Sequence, residues 1–79
     1  MSTLERLQEV FRDVFDDEDI VISNETTADD IEGWDSLTHV VLIVAVQDEF
    51  DIKFSIAETN TLKNIGDFIK LIDNKIQGK

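Results

Sequence analysis

The chain has no cysteine and no proline, only three glycines among 79 residues, and no lysine or arginine between residues 13 and 52. Without cysteine, a disulfide framework and a thiolate metal site are both excluded, as is a thioester on any side chain of the protein's own. Any thioester held here needs its sulfur from a prosthetic group. No stretch approaches the roughly 18 consecutive apolar residues that a membrane-spanning helix needs. The start, Met1-Ser2-Thr3-Leu4-Glu5-Arg6, has no basic segment leading into an apolar run. A soluble, cytoplasmic protein is expected. With 42% hydrophobic residues the length suffices for a single domain over residues 1–79 with one modest core, and not for a large buried catalytic cleft.

The missing basic residues give the charge a shape. Residues 13–52 carry thirteen acids, residues 1–12 sum to zero, and residues 53–79 sum to +2 from five lysines and three acids, which gives the net −11. A field of this sign repels nucleic-acid phosphates and anionic lipid, and steers basic protein surfaces toward the middle of the chain. Partners with Lys/Arg patches are implied. The clusters Asp16-Asp17-Glu18-Asp19 and Asp29-Asp30-Glu32 lack the spacing and terminal glutamate of a calcium loop, so no specific metal site is expected.

Apolar periodicity predicts an all-α fold. Leu4, Leu7, Val10, Phe11, Val14 and Phe15 recur at helical spacing, with Ser2 or Thr3 as cap, which places a first helix at about residues 3–15. From Asp16 to Trp34 the pattern breaks, and Ile20, Val21, Ile22 and Ile31 read as anchors of a long loop; loops of that length are often functional. The run Val40 to Val46 is ambiguous, because β-branched residues favour strand and a continuous apolar run has no period. Length decides for a helix over Leu37–Phe50: neither glycine nor proline interrupts the stretch, and Asp35-Ser36 opens it as a cap. Ser55-Ile56-Ala57-Glu58 has the spacing of a capping box and predicts a short third helix. Leu62, Ile65, Phe68, Ile69, Ile72 and Ile76 predict a fourth, capped by Thr61 or Asn64, with Lys70, Lys75 and Lys79 toward its C-terminal end. The expected architecture is a small four-helix bundle, three principal helices and one short one, with a long loop between the first two.

Gly33-Trp34-Asp35-Ser36-Leu37 lies where that loop meets the second helix. Asp-Ser-Leu opening a helix resembles the attachment motif of acyl carrier proteins. The likeness continues through Val40, Leu42, Ala45, Asp48-Glu49-Phe50, the Ser55–Glu58 segment and Ile65-Gly66-Asp67, and so spans nearly the whole chain. The resemblance implies a non-catalytic carrier in which a phosphopantetheinyl transferase uses coenzyme A to esterify Ser36 with 4′-phosphopantetheine. The thiol of that arm would hold the acyl group. It also implies that Asp35 belongs to the transferase recognition motif and that Leu37 is a docking contact. Elementary physics agrees, since a side chain at a helix start points out of the bundle and a helix N-terminus favours phosphate.

Other readings stand beside this one. Serine before an apolar run is most often only a cap. A G-x-S-x-G nucleophile elbow fails because Ser36 is fourth in the pentapeptide rather than third, and no glycine follows it. His39, the sole histidine, reads as a half-exposed surface residue, and Trp34 as an anchor of the loop end. An aminoacyl or peptidyl carrier, such as a D-alanyl carrier, and an unmodified acidic interaction module remain alternatives. The expected partners are the transferase and enzymes that load or remove acyl groups through basic or apolar docking surfaces, with the chain acting as a monomer. Thr38, Val41 and Gln47 stand where housekeeping fatty-acid carriers typically show acids. The motif also looks like that of discrete carriers in polyketide, nonribosomal or cell-envelope glycolipid assembly.

Overall fold

A computed structural model of the chain describes residues 2–31, 33–60 and 62–78. The described residues form four helices, α1 (Thr3–Phe15), α2 (Ser36–Phe50), α3 (Ile56–Asn60) and α4 (Ile65–Gln77), with a short 3-10 turn at Ala28–Asp30 inside the loop between α1 and α2. The expected all-α bundle of three long helices and one short one is what the chain forms, and the described residues contain no strand.

Each helix start follows from a local side chain. At α1 the cap is Ser2: its Oγ accepts from the Glu5 N–H at 3.2 Å while its own N–H donates to Glu5 Oε1 at 3.3 Å, the reciprocal pairing of a capping box. Ser55 and Glu58 repeat that device ahead of α3, at 3.2 and 2.9 Å. The α4 cap is Asn64, whose Oδ1 accepts from the Asp67 N–H at 2.9 Å; the alternative, Thr61, lies outside the described residues, as do Glu32 and Lys79. Both α1 and α2 end on an aspartate in the left-handed region, Asp16 at φ 51° and Asp51 at φ 55°. Aspartate tolerates that conformation better than most residues, which makes it a workable stop where no glycine is available.

The core is built from one stripe of each long helix: Leu7, Val10 and Phe11 of α1, Leu42, Val46 and Phe50 of α2, and Ile65, Phe68 and Ile72 of α4. Their spacing of three and four residues is the helical repeat. Polar ties join the elements around this core. Thr3 donates to Asp73 at 2.7 Å between α1 and α4. Arg6 reaches the Glu49 carbonyl at 2.8 Å and stacks over the Phe50 ring at 4.3 Å, joining α1 to the end of α2. Lys75 pairs with Glu58 at 2.9 Å, joining α4 to α3.

The long loop is fastened at both ends and in the middle. Gln8 accepts from the Ile22 N–H at 3.0 Å, and Arg12 donates to the Ile20 carbonyl at 2.9 Å. Farther on, the N–H groups of Ile65 and Gly66 donate to the carbonyls of Thr26 and Asn24, each at 2.8 Å. A Cβ on residue 66 would sit 3.0 Å from the Asn24 carbonyl oxygen, so the first turn of α4 needs glycine to receive the loop this closely. Of the four anchors read from the sequence, Ile22 and Ile31 are buried and Ile20 is half-buried, but Val21 is 73% exposed. Ile22 turns into the core while its neighbour Val21 faces solvent.

Candidate functional site

The loop delivers its last residues to α2 through a turn that only glycine makes easily. Gly33 has φ +88°, while a Cβ there would meet nothing nearer than 4.0 Å, so the constraint is the backbone and not space. Trp34 follows as the anchor. Its ring meets Phe11 edge-on at 5.2 Å and Phe15 at 6.4 Å, and its indole N–H donates to His39 Nδ1 at 3.1 Å. The imidazole lies nearly parallel to the indole, at 20° and 6.0 Å between centroids. An Nδ1 that accepts leaves the imidazole proton on Nε2, so this bond fixes the tautomer of His39. Trp34 therefore sets where Asp35 stands, and Asp35 sets where α2 begins.

Asp35 is the N-cap: its Oδ1 accepts from the Thr38 N–H at 2.9 Å. The helix starts at Ser36, one residue earlier than the Leu37 read from the sequence. Since the carboxylate of Asp35 performs the capping, Ser36 does not, and no hydrogen bond engages its hydroxyl among the described residues. Ser36 is exposed at the first position of the helix. The Thr38 N–H, with a smaller contribution from that of Leu37, holds the Asp35 carboxyl below its ordinary range. A carboxyl with a depressed folded-state value stabilises in full above the ordinary value of about 3.9 and loses that contribution as pH falls through the folded one. Asp35→Ala should lower the melting temperature at pH 7 and narrow the gap to the parent chain in strong acid. Asp35→Asn, which keeps an acceptor without a charge, should stay close to the parent at pH 7. Paired thermal melts across that range check both; an Asp35→Ala deficit that does not shrink in acid contradicts the capping role.

Ser36 opens onto a groove of about 520 Å³ whose walls include Trp34, His39, Val40 and Asn60. A comparable cavity at the far end of α2, about 440 Å³ and lined by Gln47, Asp51 and Lys75 among others, holds no nucleophilic hydroxyl. Beside Ser36, Leu37 is 77% exposed, and Val40, Val41 and Val44 follow it on α2 at half exposure or more. Leu37, Val41 and Val44 fall at i, i+4 and i+7, one helical face. Of the three positions expected on this surface, Val41 is exposed and Thr38 half-buried. Gln47 is half-buried too, because its Oε1 accepts from the Phe54 N–H at 2.8 Å and holds the segment leading to α3. Of the residues singled out in the sequence, Trp34, Asp35, Ser36 and His39 line the groove and Leu37 does not; Asn60 and Ala28, which reach it from α3 and the loop, were not singled out. No local pattern marks those two, since only tertiary packing places them there.

The Ser36 hydroxyl is exposed at the helix start and separate from the cap, and the nearby His39 has its Nδ1 committed to Trp34. The family model described as phosphopantetheine attachment site matches residues 5–72. The fold superposes on the solution NMR structure of holo acyl carrier protein from Geobacter metallireducens with a TM-score of 0.91 and 47% sequence identity, over 99% of this chain and 90% of that one. The chain belongs to the phosphopantetheine-attachment family and, within it, to the acyl carrier proteins. Members are carriers and not enzymes, and their prosthetic group is covalently attached 4′-phosphopantetheine. The residues here fit that group: an accessible hydroxyl, a helix N-terminus for the phosphate, and an open groove alongside.

Proposed function

We propose that the chain carries acyl intermediates as thioesters on a phosphopantetheine arm esterified to Ser36, in a pathway served by a few dedicated enzymes. The observation that supports the attachment point is the division of labour at the start of α2, where Asp35 caps and the Ser36 hydroxyl stays exposed. In the loading step the Ser36 oxygen forms a bond to the pantetheine-side phosphorus of coenzyme A. The phosphoanhydride bond breaks, adenosine 3′,5′-bisphosphate leaves, and the hydroxyl proton passes to a base of the transferase. Asp35 and Leu37 contact the transferase in this reading, and the whole of residues 1–79 acts as one monomeric domain in the cytoplasm. Bound at Ser36, the arm would supply the terminal thiol for the acyl thioester, the sulfur that a chain without cysteine lacks.

The narrower reading, a dedicated carrier for lipid, polyketide or cell-envelope assembly, is supported by the exposed face of α2. Leu37, Val41 and Val44 offer methyl groups next to the arm in a chain whose residues 13–52 carry acids and no base, so a cognate enzyme would pair an apolar contact with basic side chains. The loaded parent chain should be turned over by fatty-acid elongation enzymes more slowly than a housekeeping carrier, and Val41→Glu combined with Thr38→Asp should partly restore turnover. Equal turnover of parent and housekeeping carriers contradicts the dedicated role and leaves the attachment reading intact.

A further inference from the structure

Two cavities lie back to back beside α2 and share one wall. The outer groove contains Ser36, Val40 and Asn60; the inner cavity, about 90 Å³, runs from the exposed Lys63 and half-buried Asn64 past Leu62 to the buried Phe68; Ala28, Trp34 and His39 line both. Across that wall the indole N–H of Trp34 donates to His39 Nδ1 at 3.1 Å, and the two rings lie nearly parallel. Behind Trp34 stand Phe11 and Phe15, so the indole is held from three sides. The inner space is about that of three water molecules in the liquid, hence of about three methylene-sized groups.

Resting on the attachment of the arm at Ser36, we propose that the Trp34–His39 pair is a cargo-length determinant: it walls the attachment groove off from the core and keeps alkyl chains beyond a short acyl group outside the bundle. An acyl chain passing from the outer groove toward Phe68 between Trp34 and His39 parts the two rings, which breaks their hydrogen bond and displaces Trp34 from its aromatic neighbours. The outer groove offers such a chain a mixed wall, Val40 and Trp34 with Asn60 and His39, so short or polar acyl groups suit it and long alkyl chains do not. The consequence for the carrier is a cargo presented to its enzymes and not stored.

The test loads the parent chain, Trp34→Ala and His39→Ala with acetyl, butyryl, octanoyl and dodecanoyl phosphopantetheine, using a broad-specificity transferase and the acyl-coenzyme A, with loading read by intact mass. Trp34→Ala also removes contacts to Phe11 and Phe15, so His39→Ala, which opens the wall from α2 and keeps the aromatic cluster, is measured beside it. Nuclear Overhauser contacts between acyl methylenes and the Phe68 ring, and exchange of the Ile65 and Phe68 amides, report entry. In the parent these contacts should be missing, with exchange unchanged from acetyl to dodecanoyl. In at least one folded variant the contacts should arise, and burying even two further methylenes should slow exchange about tenfold. A loaded parent chain showing methylene contacts to Phe68 overturns the wall alone, as do folded variants that show none. No adduct on any chain overturns the Ser36 reading and the wall with it.

Discussion

Ser36→Ala is expected to take up no phosphopantetheine at all and to melt close to the parent chain. Serine at a helix start commonly stabilises by capping, and its loss there costs about 0.5–2 kcal/mol. Here the cap is Asp35, with the Thr38 N–H on its Oδ1, and Ser36 stands one position inside the helix with its side chain in solvent. Alanine is the better helix former at such a position, so the stability change should stay within about 0.5 kcal/mol of zero. The functional effect has no such cushion, because a chain without cysteine has no second route to a thioester. Circular dichroism melts and intact mass after incubation with coenzyme A and a transferase read the two halves separately. A variant that fails to fold would show that the Ser36 side chain supports α2 after all; one that still gains the arm would move the attachment elsewhere.

Phe68→Ala should have the largest effect on stability. Phe68 is 1% exposed on the buried stripe of α4 and meets Phe54 edge-on at 6.0 Å, which also anchors the segment before α3. Phenylalanine-to-alanine changes in cores cost about 3–5 kcal/mol. At about 0.05–0.15 kcal/mol per residue, a domain of this size has about 4–12 kcal/mol in total, so the variant should lose a large share of its stability and unfold at a much lower urea concentration than the parent chain. Val44→Ala on the exposed side of α2 serves as the control and should change stability by no more than about 0.5 kcal/mol. Urea denaturation compares them. Similar midpoints for the two variants would contradict the assignment of core and surface.

The same contrast explains how much could be read before the fold was in hand. In α1 and α4 apolar residues mark one face only, so periodicity alone placed both helices and their buried residues Leu7, Phe11, Phe68 and Ile72. The second helix gave no such signal, because valines occur on every side of it: Val46 is buried while Val40, Val41 and Val44 are exposed. A helix that is apolar all round normally lies inside a larger protein; in one this small, the surplus must face outward. The position of Ser36 came from a local motif and was legible. The Trp34–His39 bond was not, since residues five apart in sequence face one another only once the Gly33 turn and the cap at Asp35 have fixed their backbone. Gly66 carried no visible reason either, until the Asn24 carbonyl was seen against it.

The carrier role depends on one hydroxyl, that of Ser36. Incubating the parent chain with coenzyme A and a broad-specificity transferase, followed by proteolysis and tandem mass spectrometry, locates any phosphopantetheine to a single residue. The expected result is one arm per chain, on the peptide that contains Trp34-Asp35-Ser36-Leu37, with the fragment ions assigning it to Ser36. An unmodified Ser36 under conditions that load a housekeeping carrier to completion, or an arm on any other serine or threonine, would contradict it.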